Sequence, residues 1–334
     1  NKNVGSNKSV SVNSITLADG TGLAANYSIS AGQTTTAHIS PKSLTVSGNT
    51  ASNKTYNSNS SATVTVTLSG FVGSETLTYT NSSSFNNKNV GTGKTVTVDS
   101  ITLADGNNGG LASNYSVTPG QTTTANITAK SLTVSGITAS SKTYDGSASA
   151  TLDTSSVLYS GIISGDTFTG SYTGAFSNAN VGTGKTVTIT SSYSGADSGN
   201  YSVTDQSSTT ADISAKALTA TASVSNKTYD ATSSATATLT LSGLVGSETL
   251  GTTNASTFNN KNVGTGKTVT VNSITLADGT NGGLAANYSI SAGQTTTANI
   301  TAKSLTVSGI TASNKIYDGN GVATLDASSV AYSG

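Results

Sequence analysis

Apolar and polar residues alternate along this chain in short runs, and the period is two. In Lys267-Thr-Val-Thr-Val-Asn-Ser-Ile-Thr-Leu276 the apolar positions are Val269 and Val271, then Ile274 and Leu276. Alternation of this kind marks a half-buried strand. The change of phase after Val271 predicts a β-bulge near Asn272-Ser273. Residues 235–241 alternate small or apolar residues with Thr. Residues 217–224, a run beginning at Glu248, residues 287–290 and residues 295–301 read as further strands. Gly, Asn and Asp turns such as Asn226-Lys-Thr-Tyr-Asp230 and Ser242-Gly243 separate them. No apolar stripe of helical length appears, so the prediction is all-β.

The strands belong to a unit that recurs. Lys-Ser-Leu-Thr-Val-Ser-Gly begins at Lys42, Lys130 and Lys303, with a looser copy at Lys216, giving intervals of 88, 86 and 87 residues. Asn-Tyr-Ser keeps the same beat at Tyr27, Tyr115, Tyr201 and Tyr288, as does Lys-x-Tyr at Tyr56, Tyr144, Tyr229 and Tyr317. A unit of about 87 residues is the size of an independent domain. Three whole units span 42–129, 130–215 and 216–302. Residues 1–41 read as the C-terminal half of another and 303–334 as the N-terminal part of one more. Units 42–129 and 216–302 share Ser-Glu-Thr-Leu and Ser-Ile-Thr-Leu-Ala-Asp-Gly, whereas 130–215 is a variant type with Ala-Thr-Leu-Asp-Thr-Ser-Ser-Val. The variant motif returns in 323–330 as Ala-Thr-Leu-Asp-Ala-Ser-Ser-Val.

About seven short strands in such a unit is the pattern of an immunoglobulin-like β-sandwich. A β-solenoid would show rungs of about 20–30 residues, a sub-period the unit lacks. Ala196-Asp-Ser-Gly-Asn-Tyr201-Ser-Val203 resembles the tyrosine corner of immunoglobulin domains, whose hydroxyl bonds back to nearby backbone. Tyr27, Tyr115 and Tyr288 hold the same place. One unit runs into the next through Ile-Thr-Ala-Lys-Ser-Leu without linker residues, so the tandem sandwiches are expected to form an extended rod.

Composition narrows the function. Charged residues are 9% of the chain, net charge is zero, and Cys, Met and Trp are absent. The lack of Cys excludes disulfide frameworks and thiolate metal sites. With no Arg and 15 Lys against 15 acids, nucleic-acid binding is disfavoured. No apolar run approaches 18 residues, so no membrane span is expected in this segment, and no secretory signal is recognised within it.

Candidate chemistry is sparse. The Tyr-Asp-Gly turn offers Tyr144-Asp145-Gly146, with Tyr56, Tyr229-Asp230 and Tyr317-Asp318 as its counterparts. It reads either as a ligand contact repeated along the rod or, preferably, as a structural turn whose Tyr packs on the end of the sandwich. The loops around Asp105 and Asp278 carry oxygen ligands but one carboxylate each, far short of an EF-hand loop. They are at most weak calcium sites, and no cofactor is expected. His38 aligns with Asn126, Asp212 and Asn299 and holds a variable polar position. Glu75 and Glu248, equivalent to each other, lack a second acid in the sequence that would make them an acid–base pair. Nothing here supplies a catalytic set, and an enzyme is not expected.

Lys142-Thr-Tyr-Asp-Gly146, Lys227-Thr-Tyr-Asp-Ala231 and Lys315-Ile-Tyr-Asp-Gly319 resemble the signature of the YDG domain. The Asn-Val-Gly-x-Gly-Lys runs at 89–94, 180–185 and 262–267 point the same way. The chain departs from the signature at Tyr56-Asn57-Ser58 and at Ala231. YDG repeats occur in tandem in very large bacterial surface proteins, including haemagglutinin-like adhesins. The resemblance implies an extracellular location, on a bacterial cell surface or in a secreted fibre, and assigns no reaction. The expected function is a structural stalk that presents a distal functional region. The expected partners are neighbouring repeats of the same chain. The alternatives are a filament assembled from further copies of the chain through exposed edge strands, and an array of low-affinity modules for surface glycans.

Overall fold

The computed structural model describes residues 1–334, and they form an all-β chain in tandem repeats. The only helices are single 3-10 turns, each placed just before an Asn-Tyr-Ser tyrosine. No helix is long and apolar enough to cross a membrane.

Repeats 42–129 and 216–302 each carry two sheets, and repeat 130–215 adds a short two-stranded one, Thr138–Ala139 with Leu152–Asp153. In repeat 42–129 the first has the order Val64–Ser69, Lys42–Ala51, Tyr115–Val117. The second has the order Lys54–Thr55, Thr122–Thr128, Gly91–Asp105, Leu77–Phe85. Repeat 216–302 repeats the scheme and adds Ser234–Ala235 beyond Leu250–Phe258. Two short parallel ladders distinguish this order. Lys42 faces Tyr115 and Leu44 faces Val117, while Lys54 faces Ile127. The last two strands therefore lie in different sheets, whereas strands F and G of an immunoglobulin domain share one.

The phase change in 267–276 is the predicted bulge. Ala255 pairs with Ser273 and Ser256 with Val271, which leaves Asn272 as the extra residue. The bulge lets one long strand, Gly264–Asp278, present Val269 and Val271 to the core before its alternation shifts.

By packing, the chain divides into two compact units whose boundaries cut across repeat 130–215. One comprises 1–136, 157–171 and 191–206; the other comprises 137–156, 172–190 and 207–334. In the first, Val64, Val66, Phe85, Val96, Val98, Ala125 and Ile127 are buried. In the second, one apolar cluster joins Tyr144, Phe176, Val187 and Ile213 to Leu218 and Tyr288 of the following repeat. A further cluster joins Phe258, Val269, Ala298 and Ile300. Burying one such side chain is worth about 1.5–3 kcal/mol, and in the second unit part of that burial is contributed across a repeat boundary. That boundary is where recurring polar chemistry gathers.

Candidate functional site: the repeat junction

The Lys-x-Tyr turn is built by its lysine. The ammonium of Lys142 lies 2.8 Å from Asp145 Oδ1 and donates to the carbonyl of Ser147 at 2.8 Å. It also stands over the Phe176 ring at 5.6 Å. Lys227 does the same with Asp230, the carbonyl of Thr232 and Phe258. Lys315 holds Asp318 and the carbonyl of Asn320. In each turn the Asp carboxylate also accepts the backbone N–H two residues on, from Ser147, Thr232 or Asn320. This is the Asx turn for which Asp is selected. Lys227 beside Asp230 holds that carboxyl down to about 2; Asp145 and Asp318 are also lowered, chiefly by their lysines. The turn at Lys142 aims Tyr144 into the next repeat.

At the junction of 130–215 with 216–302, Tyr144 Oη donates to Glu248 Oε1 at 2.7 Å. Tyr288 Oη donates to Glu248 Oε2 at 2.6 Å and accepts the N–H of Val245 at 3.0 Å. The two rings meet edge to face at 5.4 Å. Beside them Asn287 Oδ1 accepts the N–H of Val181 at 3.0 Å, and its amide donates to Asn180 Oδ1 at 3.1 Å. Desolvation, reinforced by the Glu248 hydrogen bond, pushes Tyr144 up to about 12, so it stays a donor at all physiological pH.

The junction of 42–129 with 130–215 solves the same problem with other residues. Tyr201 Oη donates to Asp166 Oδ2 at 2.5 Å and accepts the N–H of Ile163 at 3.0 Å. Ser58 Oγ donates to Asp166 Oδ1 at 2.7 Å. Tyr56 Oη donates to Asp197 Oδ1 at 3.3 Å. Lys88 Nζ lies 2.7 Å from Asp197 and 3.7 Å from Asp166. Asn200 Oδ1 accepts the N–H of Val90 at 2.9 Å, the counterpart of the Asn287 bond. Burial opposes ionisation of Asp166, but hydrogen bonds led by Tyr201 and Ser58 outweigh it and hold the carboxyl low. Lys88 is the main cause that lowers Asp197, and Asp197 raises Lys88 in return. Burial first, then the Asp166 bond, pushes Tyr201 up to about 12.

A third instance lies at the start of repeat 42–129. Tyr115 Oη donates to Glu75 Oε2 at 2.8 Å and accepts the N–H of Val72 at 3.0 Å. Lys2 Nζ reaches Glu75 Oε1 at 3.1 Å, and Asn114 Oδ1 accepts the N–H of Val4 at 2.9 Å. The tyrosine-corner expectation is corrected in one respect. The phenol does not bond a few residues upstream; it takes an amide 38 to 43 residues back and a carboxylate three residues further on.

The residues singled out in the sequence sort accordingly. Tyr56, Tyr144, Tyr115, Tyr201 and Tyr288 are buried in junctions. Tyr229 packs against the Phe258–Val269 cluster, while Tyr27 and Tyr317 are exposed. Gly146 sits at φ +81°, and a Cβ there would lie 2.8 Å from Val245 Cγ1. Asp105 and Asp278 each accept the N–H seven residues on, from Ala112 and Ala285 at 2.7 Å, and so close their own loops. In those loops a Cβ on Gly106 or Gly279 would overlap the carbonyl of Thr76 or Thr249. Exposed His38 accepts the N–H of Asn7.

Sequence reasoning matched Glu75 with Glu248 but missed Asp166 as their counterpart and the junction as their place. Glu75, Asp166 and Glu248 each stand five residues after the Gly of a Ser-Gly pair, at Gly70, Gly161 and Gly243. That fixed offset was the available signal; the switch from Glu to Asp hid it.

A sequence profile described as the YDG domain matches residues 40–125, 128–211 and 214–298. A search of curated proteins found no match to the chain.

Proposed function

Taking as premise that the chain belongs to the YDG-domain family, we propose that it is a structural stalk or fibre segment of a large extracellular bacterial surface protein. In this reading it holds a distal functional region away from the cell. The observation that carries the reading is where the recurring polar chemistry goes. The Lys-x-Tyr tyrosine, the Asn-Tyr-Ser tyrosine, the acid and the Asn are the residues that every repeat could have offered to a ligand. Two junctions engage all four between neighbouring repeats. Repeats fastened in this way gain stability from their neighbours, as in quasi-one-dimensional arrays. Catalysis is no part of the proposal.

The test is to delete one or two whole repeats from the full-length protein and measure how far a distal epitope stands from the cell surface. A stalk shortens in equal steps and leaves the specificity of adhesion unchanged. Binding of the purified 334-residue segment to a glycan array or to host cells would overturn the proposal in favour of an adhesive array.

One observation favours a second reading, assembly of copies into filaments. Leu77–Phe85 ends its sheet's strand order, and only its last residues, Ser83 to Phe85, are bonded on the outer side, by Ser60–Ala62. It carries no charge, so the lysine that normally discourages edge pairing is missing from it. Ordered filaments of the purified segment would support this reading; a monomeric sedimentation profile at high concentration would dismiss it.

A further inference from the structure

Two neighbouring repeats are fastened by different residues, and the differences compensate one another. A Glu at 248 is long enough for its two oxygens to take Tyr144 and Tyr288 together, at 2.7 and 2.6 Å. Asp166 is one methylene shorter. It takes only Tyr201, its second oxygen is filled by the Ser58 hydroxyl, and Tyr56 is passed to Asp197. Where the variant repeat has Asp197, the Glu-bearing repeats have Leu111 and Leu284.

The residue opposite the acid changes in step. Ser58 occupies the third position of the Tyr-Asx-x turn at φ +66°, a left-handed conformation unusual for a residue with a Cβ. The same place at the other junction is Gly146, where a Cβ would lie 2.8 Å from Val245 Cγ1. A serine is therefore useful at the first junction, whereas at the second its Cβ would force the Val245 side chain to move.

We infer that Ser58, Asp166 and Asp197 form one matched set and that Gly146, Glu248 and Leu284 form another, each set adjusted to itself within its own junction. The lysine is not part of either set. Lys88 pairs with Asp197, yet the equivalent Lys2 is accepted by Glu75 in a repeat that carries Leu111. Each set joins two neighbouring repeats of the same chain. The inference rests on the junction geometry and stands or falls separately from the stalk proposal.

Sign reversal in a mutant cycle on the full 334-residue chain tests it. The readout is amide hydrogen exchange at Val90 and Ile163, whose N–H groups bond Asn200 and Tyr201 within the junction. Ser58→Gly in the native chain strips a hydrogen bond from a buried carboxylate, and exchange should quicken about tenfold. The pair Asp166→Glu and Asp197→Leu, with Ser58 kept, should quicken it by at least as much. Adding Ser58→Gly to that pair should now slow exchange and bring it back to within about threefold of native. At the other junction Gly146→Ser should quicken exchange at Val181 and Val245 about tenfold or more. If Ser58→Gly acts in the same direction in both backgrounds, or Gly146→Ser leaves Val181 and Val245 unchanged, the matched sets do not exist.

Discussion

Tyr27 and Tyr115 hold the same place in the same Asn-Tyr-Ser motif, yet Tyr27 is 69% exposed and Tyr115 is 6% exposed. The contrast extends along both segments. Val10, Val12 and Ile39 are exposed, whereas their equivalents Val96, Val98 and Ile127 are buried. Local structure is not the cause. Gly5–Ser11 pairs with Thr34–Ile39 in the register that Gly91–Asp105 uses with Thr122–Thr128, down to the bulge before the lysine. The ladder forms in both places, and in 42–129 a second sheet and a tyrosine–acid junction lie with it. The hydrogen-bonded ladder is thus a local property of the motif, while burial is a property of its neighbours.

The largest effect that separates the two regions should come from the core. Ile127→Ala removes a side chain that is 1% exposed and should cost about 2–5 kcal/mol. Ile39→Ala, at the equivalent exposed position, should cost about 0.5 kcal/mol or less. Urea midpoints of the two variants would check this. Equal losses would mean that residues 1–41 are as well covered in solution as a whole repeat.

Next come the tyrosines of the turn. Tyr144→Phe leaves the half-buried Glu248 Oε1 without its donor, a loss of about 1–3 kcal/mol. In the 334-residue segment Tyr317→Phe, at a position 93% exposed there, should be neutral within about 0.5 kcal/mol. An absorbance titration sharpens the point, because Tyr144 and Tyr201 should ionise near 12 and a solvated phenol near about 10. A folded-state value above the unfolded one favours the protonated form. The stabilisation is therefore complete below about pH 10 and disappears as pH rises through the folded value.

A smaller effect is expected on the acid side. Asp166 and Asp197 titrate below the ordinary carboxylate range in the folded chain, so their contribution is present above about pH 4. It is lost as pH falls through their folded values. Lys88, 38% exposed, is partly screened by water and salt, which limits the gain. The urea midpoint should fall as the pH drops below about 4, and Asp197→Leu should flatten that fall. An unchanged pH dependence in the variant would remove Lys88–Asp197 from the account.

How much of this was legible in the sequence follows from the range of each interaction. Alternation gave the strands and even the bulge at Asn272, because period and phase are local. The repeat landmarks singled out Tyr56, Tyr144 and Tyr201, which are buried in junctions. What they touch was hidden, because Tyr56 and Tyr144 reach acids in the next repeat, more than a hundred residues on, and even Tyr201 bonds an amide and an acid 38 and 35 residues back. Asn200 shows the difficulty. It reads as part of a turn, and only the fold brings its amide to Val90 and Asn89. The parallel ladders that split the last two strands between sheets depend on the same long-range information. Ser58 looked like the loss of a signature glycine, and its hydroxyl proved to be the donor that a shorter acid requires.

The smallest expected effect concerns the Asp that gives the turn its signature. Asp145 bonds Lys142 with its side chain 53% exposed, and surface ion pairs contribute about 0–1 kcal/mol. Its other role, accepting the N–H of Ser147, needs only an oxygen. Repeat 42–129 already shows the substitution at the equivalent place. Asn57 Oδ1 accepts from Lys54 at 2.9 Å and from the N–H of Asn59 at 3.4 Å, and Tyr56 is still 1% exposed. Asp145→Asn should therefore cost less than about 1 kcal/mol in thermal unfolding and leave exchange at Val181 unchanged, with the small loss vanishing in high salt. A large loss that persists in salt would make the carboxylate itself indispensable, and would move the discriminating chemistry from the junction acids back to the turn.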